Sequence, residues 1–239
     1  MRLRRVSLCL VLGLLAAAPP ALAAQRIDAA VGALGTAETM LPEALIFAVT
    51  RDGTPFGSHR VSFAREGDRL IVETQIAFKV KIAFLTVFRY TMNAREEWLG
   101  AELQRFESKT DSDGKAYFVR AERTSEGLRV ESSSGSYIAP PGVMPFTYWN
   151  RGLLDQTQVI NPERGRLETL TVERRGEDRL MIGAKPVAVE KVRLSTNNDY
   201  DLLYEIETGR WVGGSFERRG FLIGYAPAQP VAAETAAAR

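Results

Sequence analysis

From Leu70 to Met92 every even position is apolar or threonine, while the odd positions begin polar with Glu73, Gln75, Lys79 and Lys81. A period of two with one dry and one wet face is the pattern of a β-strand half-buried on a sheet. One strand of that length would run roughly 75 Å at about 3.3 Å per residue, far beyond ordinary strands. The run must therefore turn. The turn is expected in "KIAFLTV", where Ala83, Leu85 and Val87 make both parities apolar.

The rest of the chain repeats the theme in shorter pieces. "ALIFAVTR" leads through "DGTPFG" into "SHRVSFAR", and "EGD" turns into the long ribbon. "YTMNAREEW", "AELQRFESKT", "KAYFVRAER" and "LRVESS" follow, and after residue 152 come "RLETLTVERR", "PVAVEKVRLS", "YDLLYEIE", "RWVGGSFERR" and "FLIGYAP". Connections of two to five residues rich in Gly, Asp, Asn and Ser suit hairpins and leave no room for crossover helices. The fold expected is all-β: a strongly curved antiparallel sheet, a barrel or half-barrel in the manner of lipocalins or lipoprotein carriers, formed by residues 44–226. Its inner face would carry Phe47, Val61, Phe63, the even series, Tyr117, Val119 and the series Tyr200, Leu202, Tyr204, Ile206.

One stretch breaks the rhythm. "YIAPPGVMPFTYWNRG", Tyr137 to Gly152, holds three prolines, two glycines and four aromatics. Pro140 and Pro141 end the preceding strand, Pro145 suits the first turn of a helix, and Phe146 to Leu154 has the length of two turns. The expectation is one short helical plug on the open side of the sheet, with Tyr148 and Trp149 sealing apolar contents beneath their polar tips.

The ends alter the reading of charge. "MRLRR", the apolar run after it and "ALA" at Ala21 to Ala23 form the pattern of a cleaved signal peptide over residues 1–23, which implies export to the periplasm. Cleavage would remove Arg2, Arg4 and Arg5, so that three of thirty-one basic residues leave against twenty-nine acids and the formal charge moves from +2 to about −1. It would also remove Cys9, the single cysteine, which excludes a disulfide scaffold or a thiolate nucleophile in the mature chain. Residues 24–43 read as flexible or as a short helical segment presenting Ile27, Val31 and Leu34, and residues 227–239 read as a disordered tail. No Lys/Arg cluster interleaved with aromatics points to nucleic acid.

Candidate chemistry is sparse. His59 is the only histidine, which excludes a multi-histidine zinc site, and no serine stands in a G-x-S-x-G elbow. The acids Glu96 and Glu97, Asp199 and Asp201, and Glu205 and Glu207 would hydrolyse glycosides only if two of them met across a cleft. "DSDGKAYF" lacks the later ligands of a calcium loop, and "WVGGSF" has neither the spacing nor the lysine of a phosphate cradle.

The segment from "VTRDGTPFGSHRV" through "REEWLG", the Trp149 break and "DYDLLYEIETGRWVGGSFERRG" resembles the exported bacterial proteins grouped as domain of unknown function 6134. Its organisation is also similar to the related 3108 family and, more distantly, to the curved-sheet proteins that carry lipoproteins and lipids through the periplasm. The matching features are Asp52-Gly53, Gly57, Glu97-Trp98, Trp149 and Asp201 to Tyr204 followed by Gly209, with Leu203 standing where the pattern places an aromatic. The resemblance spans Leu45 to Tyr225 and implies no catalytic residues and no cofactor. The function expected is non-enzymatic: binding of an apolar or lipid-like molecule in envelope maintenance, with peripheral membrane contact. His59, Phe78, Phe88, Tyr90, Trp98, Phe146, Tyr148, Trp149 and Tyr204 are the candidate ligand-binding residues. The alternatives are a periplasmic hydrolase using His59 or paired carboxylates, and an adaptor binding another envelope protein.

Overall fold

The computed structural model describes residues 41–82 and 85–228. The expected signal peptide over residues 1–23, the following segment up to residue 40, residues 83 and 84 of the expected turn, and the tail from residue 229 lie outside the described residues. The first half of the sheet is a meander of β1 (Ala44–Arg51), β2 (Thr54–Glu66), β3 (Arg69–Ile82), β4 (Leu85–Leu99), β5 (Glu102–Ser112), β6 (Lys115–Thr124), β7 (Gly127–Ser132) and β8 (Gly135–Ala139). Each strand is joined to the next by two residues, the loop length that matches strand twist best. Asp52-Gly53 and Asp113-Gly114 are left-handed at both turn positions, with φ of 47° and 77°, and of 54° and 84°. The Asp-Gly pairs adopt these angles with little strain.

Residues 140–170 then leave the sheet. They form β9 (Met144–Pro145), a 3-10 helix (Arg151–Asp155), β10 (Gln158–Ile160) and β11 (Leu167–Thr169). The chain returns through β12 (Thr171–Ile182), β13 (Lys185–Ser195), β14 (Asp199–Glu205), β15 (Trp211–Arg218) and β16 (Phe221–Pro227). All strands except β9 to β11 make one thirteen-stranded antiparallel sheet in the order β12-β13-β14-β15-β16-β1-β2-β3-β4-β5-β6-β7-β8. The two halves meet where β1 pairs with β16, from Phe47↔Pro227 to Arg51↔Ile223. Ala228 continues that ladder by donating its N–H to the Ile46 carbonyl at 2.8 Å.

The expected turn in the long ribbon falls between Ile82 and Leu85, which pair with each other. A bulge between Val80 and Lys81 then shifts the register so that even residues stand opposite even ones, and Val72↔Glu96, Ile76↔Met92 and Phe78↔Tyr90 share one face. The edge strands are β8 and β12. The latter carries Glu173, Arg174, Arg175, Glu177 and Asp178 along an exposed run, a dressing that discourages edge-to-edge association.

The plug crosses the concave face and touches both halves of the sheet. Val143, Met144, Phe146, Trp149, Leu153, Leu154, Val159 and Ile160 pack in one core with Phe106, Leu128 and Val130 from one half and Val192, Leu194 and Leu202 from the other. Polar ties hold it in register. Ser108 donates to the Pro162 carbonyl at 2.5 Å, Tyr137 to the Gly165 carbonyl at 2.7 Å and Tyr204 to the Tyr148 carbonyl at 3.0 Å, while Arg151 pairs with Glu190.

Four sequence readings are corrected by this arrangement. Helix over Phe146 to Leu154 gives way to the shorter 3-10 turn at Arg151–Asp155, because Met144–Pro145 is extended and pairs in parallel with Val159–Ile160. Asn150 starts that turn by accepting from the Gly152 N–H at 2.9 Å. Tyr137 belongs to β8 and not to the break, and Ile206 lies in a turn with 41% of its surface exposed, because β14 ends at Glu205. The run 176–182, absent from the sequence reading, extends β12 into a long hairpin with β13.

Gly57 marks the tightest approach between strands. A β-carbon built there would meet the Ala77 carbonyl oxygen at 2.0 Å. Gly57→Ala is expected to lower stability by about 1–3 kcal/mol through overpacking, read as a lower urea midpoint with an unchanged m-value.

Candidate functional site: a lined cavity under the plug

One end of the concave face is filled by the plug. The other end keeps an open cavity of about 550 Å³. Strand register gives its depth. Arg51↔Ile223↔Phe216 lies at the mouth, Gly57↔Phe78↔Tyr90 one level below, and His59↔Ile76↔Met92 near the floor. Phe146, Thr147, Tyr148 and Trp149 of the plug close the space from above.

One wall is a stack of rings. Phe56 lies 4.8 Å from Phe78 and 6.1 Å from Phe88, its ring nearly parallel to both, and Phe78 lies 5.6 Å from Tyr90. Phe56 is there because of a β-bulge: Val49 pairs with Gly57 but Thr50 pairs with Pro55, so Phe56 has no partner on β1. The bulge re-aims a side chain that simple alternation would send outward.

His59 forms the floor with aromatic neighbours, Trp211 at 5.2 Å, Tyr225 at 5.7 Å, Phe47 at 6.3 Å and Tyr148 at 6.4 Å between ring centroids. It is 5% exposed, and its Nδ1 is buried with no hydrogen-bond partner. Burial pulls its pKa down to about 3. The ring is therefore neutral at ordinary pH and offers a hydrogen bond, not a base poised near neutrality. Tyr148 and Tyr225 are likewise pushed up by burial and stay protonated.

Behind the plug lies a feature visible in the sequence only as parity. Glu96 is 1% exposed and accepts from the indole nitrogens of Trp98 at 2.9 Å and Trp149 at 3.1 Å. Burial raises its pKa to about 7, and the indole hydrogen bonds partly offset that rise. Because Glu96 falls in the dry, even register of the ribbon, an acid there signals a buried, partnered carboxylate. Its neighbour Glu97 faces outward, bonded to Arg69 at 3.3 Å and Arg95 at 3.5 Å, so the two acids lie on opposite faces and form no pair.

Of the residues expected to bind, His59, Phe78, Phe88, Tyr90, Phe146, Tyr148 and Trp149 all line the cavity. Trp98 and Tyr204 do not. They sit in the packed core, 4% and 0% exposed, holding Glu96 and the plug backbone. Sequence reasoning missed Phe56, Phe216 and Tyr225 at the wall. Phe216 and Tyr225 follow from strand alternation once the β1–β16 pairing is known, whereas Phe56 needed the bulge. Among the described residues no cluster of three or more His, Cys, Asp or Glu side chains is placed to hold a metal ion. Among them, too, no helix is long and apolar enough to cross a membrane.

The family model described as Domain of unknown function (DUF6134) matches residues 47–228. The chain belongs to this family. A crystal structure of a beta-barrel-like protein of domain of unknown function DUF1849 from Brucella abortus is similar in fold, with a TM-score of 0.54 and 11% identity over 80% of this chain and 97% of that one. No curated protein matches the chain.

Two buried groups give stability opposing dependences on pH. The His59 contribution is present above pH 6.5 and is lost as pH falls toward 3, because the unfolded chain takes up the proton first. The Glu96 contribution is present below about pH 4.5 and is lost as pH rises through 7, because here the folded state holds the proton longer. Glu96→Gln is expected to flatten the loss of stability between about pH 4.5 and 7, a span of roughly 3.5 kcal/mol at 1.4 kcal/mol per pKa unit, in denaturant titrations from pH 4 to 8. The imidazole resonances of the single histidine, followed by NMR, should show no protonation between pH 8 and 5.

Proposed function

We propose that this member of the DUF6134 family is a non-enzymatic binding protein of the periplasm that shelters an apolar or lipid-like molecule between its curved sheet and its plug. The observation that carries this reading is the preformed cavity of about 550 Å³ with its stacked wall of Phe56, Phe78 and Phe88. A volume of a few hundred Å³ with apolar walls and few polar groups is the usual form of a small-molecule site. Transfer of an acyl chain into it is favoured by about 0.8 kcal/mol per buried methylene. The setting in the periplasm rests on the leader pattern of residues 1–23.

A hydrolase has less to support it. His59 is ringed by aromatics, and burial holds it neutral well below the pH at which a general base works. The adaptor reading would place its partner on the edge strands β8 or β12, and the charged run on β12 argues against strand addition there.

Native mass spectrometry of protein purified from the periplasm without detergent is expected to show a bound small molecule. Filling the cavity by Ile76→Trp should weaken rebinding at least tenfold while leaving the far-UV circular dichroism unchanged. Undiminished binding by that variant would place the ligand elsewhere and remove the reading.

A further inference from the structure

We infer that the molecule held in the cavity is an anionic amphiphile, a single acyl or alkyl chain ending in a carboxylate or phosphate, with its head at Arg51, Arg218 and Arg219. This inference rests on the cavity reading above and adds the sign and the place of the head group. Charge in the site is segregated. The walls offer neutral rings, and of the ionised lining groups Arg51, Arg218, Arg219 and Asp113 lie at the mouth or in the turns beside it, while Arg164 and Glu163 come from the plug.

Those charges are not equally engaged. Arg164 bonds Glu163 at 2.8 Å and lies over the Tyr117 ring at 3.7 Å. Arg51, Arg218 and Arg219 form no ion pair among the described residues, and Arg51 is steadied over the Phe221 ring at 4.1 Å. Three uncommitted cations therefore face one uncommitted acid, Asp113. Guanidinium groups present fixed N–H forks that match carboxylate and phosphate oxygens.

A second observation points the same way. Arg219 occupies the first position of the β15–β16 turn, left-handed at φ 53° and followed by Gly220 at φ 77°. The equivalent β1–β2 and β5–β6 turns place Asp52 and Asp113 there, among the residue types that accept this conformation with little strain. An arginine at that position has no conformational advantage, but it adds a cation to the lip of the cavity.

The dimensions suit a chain. From Arg51 to Phe47, opposite His59, four residues of β1 span about 13 Å at 3.3 Å per residue. A chain anchored at the arginines would run along Phe56, Phe78 and Phe88 toward the floor.

The test compares laurate, dodecyl phosphate, dodecanol and dodecyltrimethylammonium as ligands of delipidated full-length protein, by isothermal titration calorimetry. The two anions are expected to bind at least tenfold more tightly than dodecanol, and the ammonium amphiphile most weakly. Preference between laurate and dodecyl phosphate assigns the head as carboxylate or phosphate. Arg218→Gln combined with Arg219→Gly should weaken the anions at least tenfold and leave dodecanol unchanged. Arg219→Gly alone, which relieves the turn, should raise thermal stability while weakening the anions several-fold. Equal affinity for laurate and dodecanol, or anion binding untouched by the variants, would overturn the anionic head and keep the apolar cavity. Binding by none of the four would overturn both.

Discussion

A strongly curved sheet of thirteen strands leaves an apolar concave face that water would otherwise wet, and the segment 140–170 is what covers it. The contact that places this cover is a buried carboxylate shared by two indoles. Trp98 comes from the sheet, Trp149 from the plug, and Glu96 accepts from both, with the two rings perpendicular at 5.8 Å. A carboxylate without these donors would be costly to bury, and the indoles would each leave an N–H unpaired. The three groups satisfy one another only when the plug is docked in one position.

The cavity is a consequence of how that plug is docked. Its aliphatic half, Leu153, Leu154, Val159 and Ile160, fills the core completely, whereas Phe146 to Trp149 reach over the neighbouring space without occupying it. The same four residues are thus closure for the core and roof for the site. Substitution in the roof therefore acts on stability and on the shape of the cavity together.

Electrostatics divide along the same axis. At depth, His59 and the surrounding tyrosines are held neutral by burial, while arginines and acids appear where solvent reaches the turns. A low-polarity floor below a charged lip distinguishes the two ends of any molecule that enters. The turns that carry the lip are the hairpins at Asp52-Gly53, Asp113-Gly114 and Arg219-Gly220.

The chain on its own terms determined most of its strands and hairpins, the bend inside the long ribbon and the existence of a non-sheet break after Pro140 that contains Trp149. These follow from local rules: side chains alternate, Asp-Gly turns, and proline stops a ladder. It also pointed to the family and to seven of the lining side chains. What only the tertiary structure decided was where the two halves join, since β1 and β16 are far apart in sequence, and which residues a bulge turns inward, as with Phe56. Trp98 and Tyr204 share the parity of wall residues yet lie in solid core. Whether an inward side chain meets a neighbour or a void depends on how the plug crosses the sheet. Alternation reports the face of a residue and carries no information about what stands opposite it.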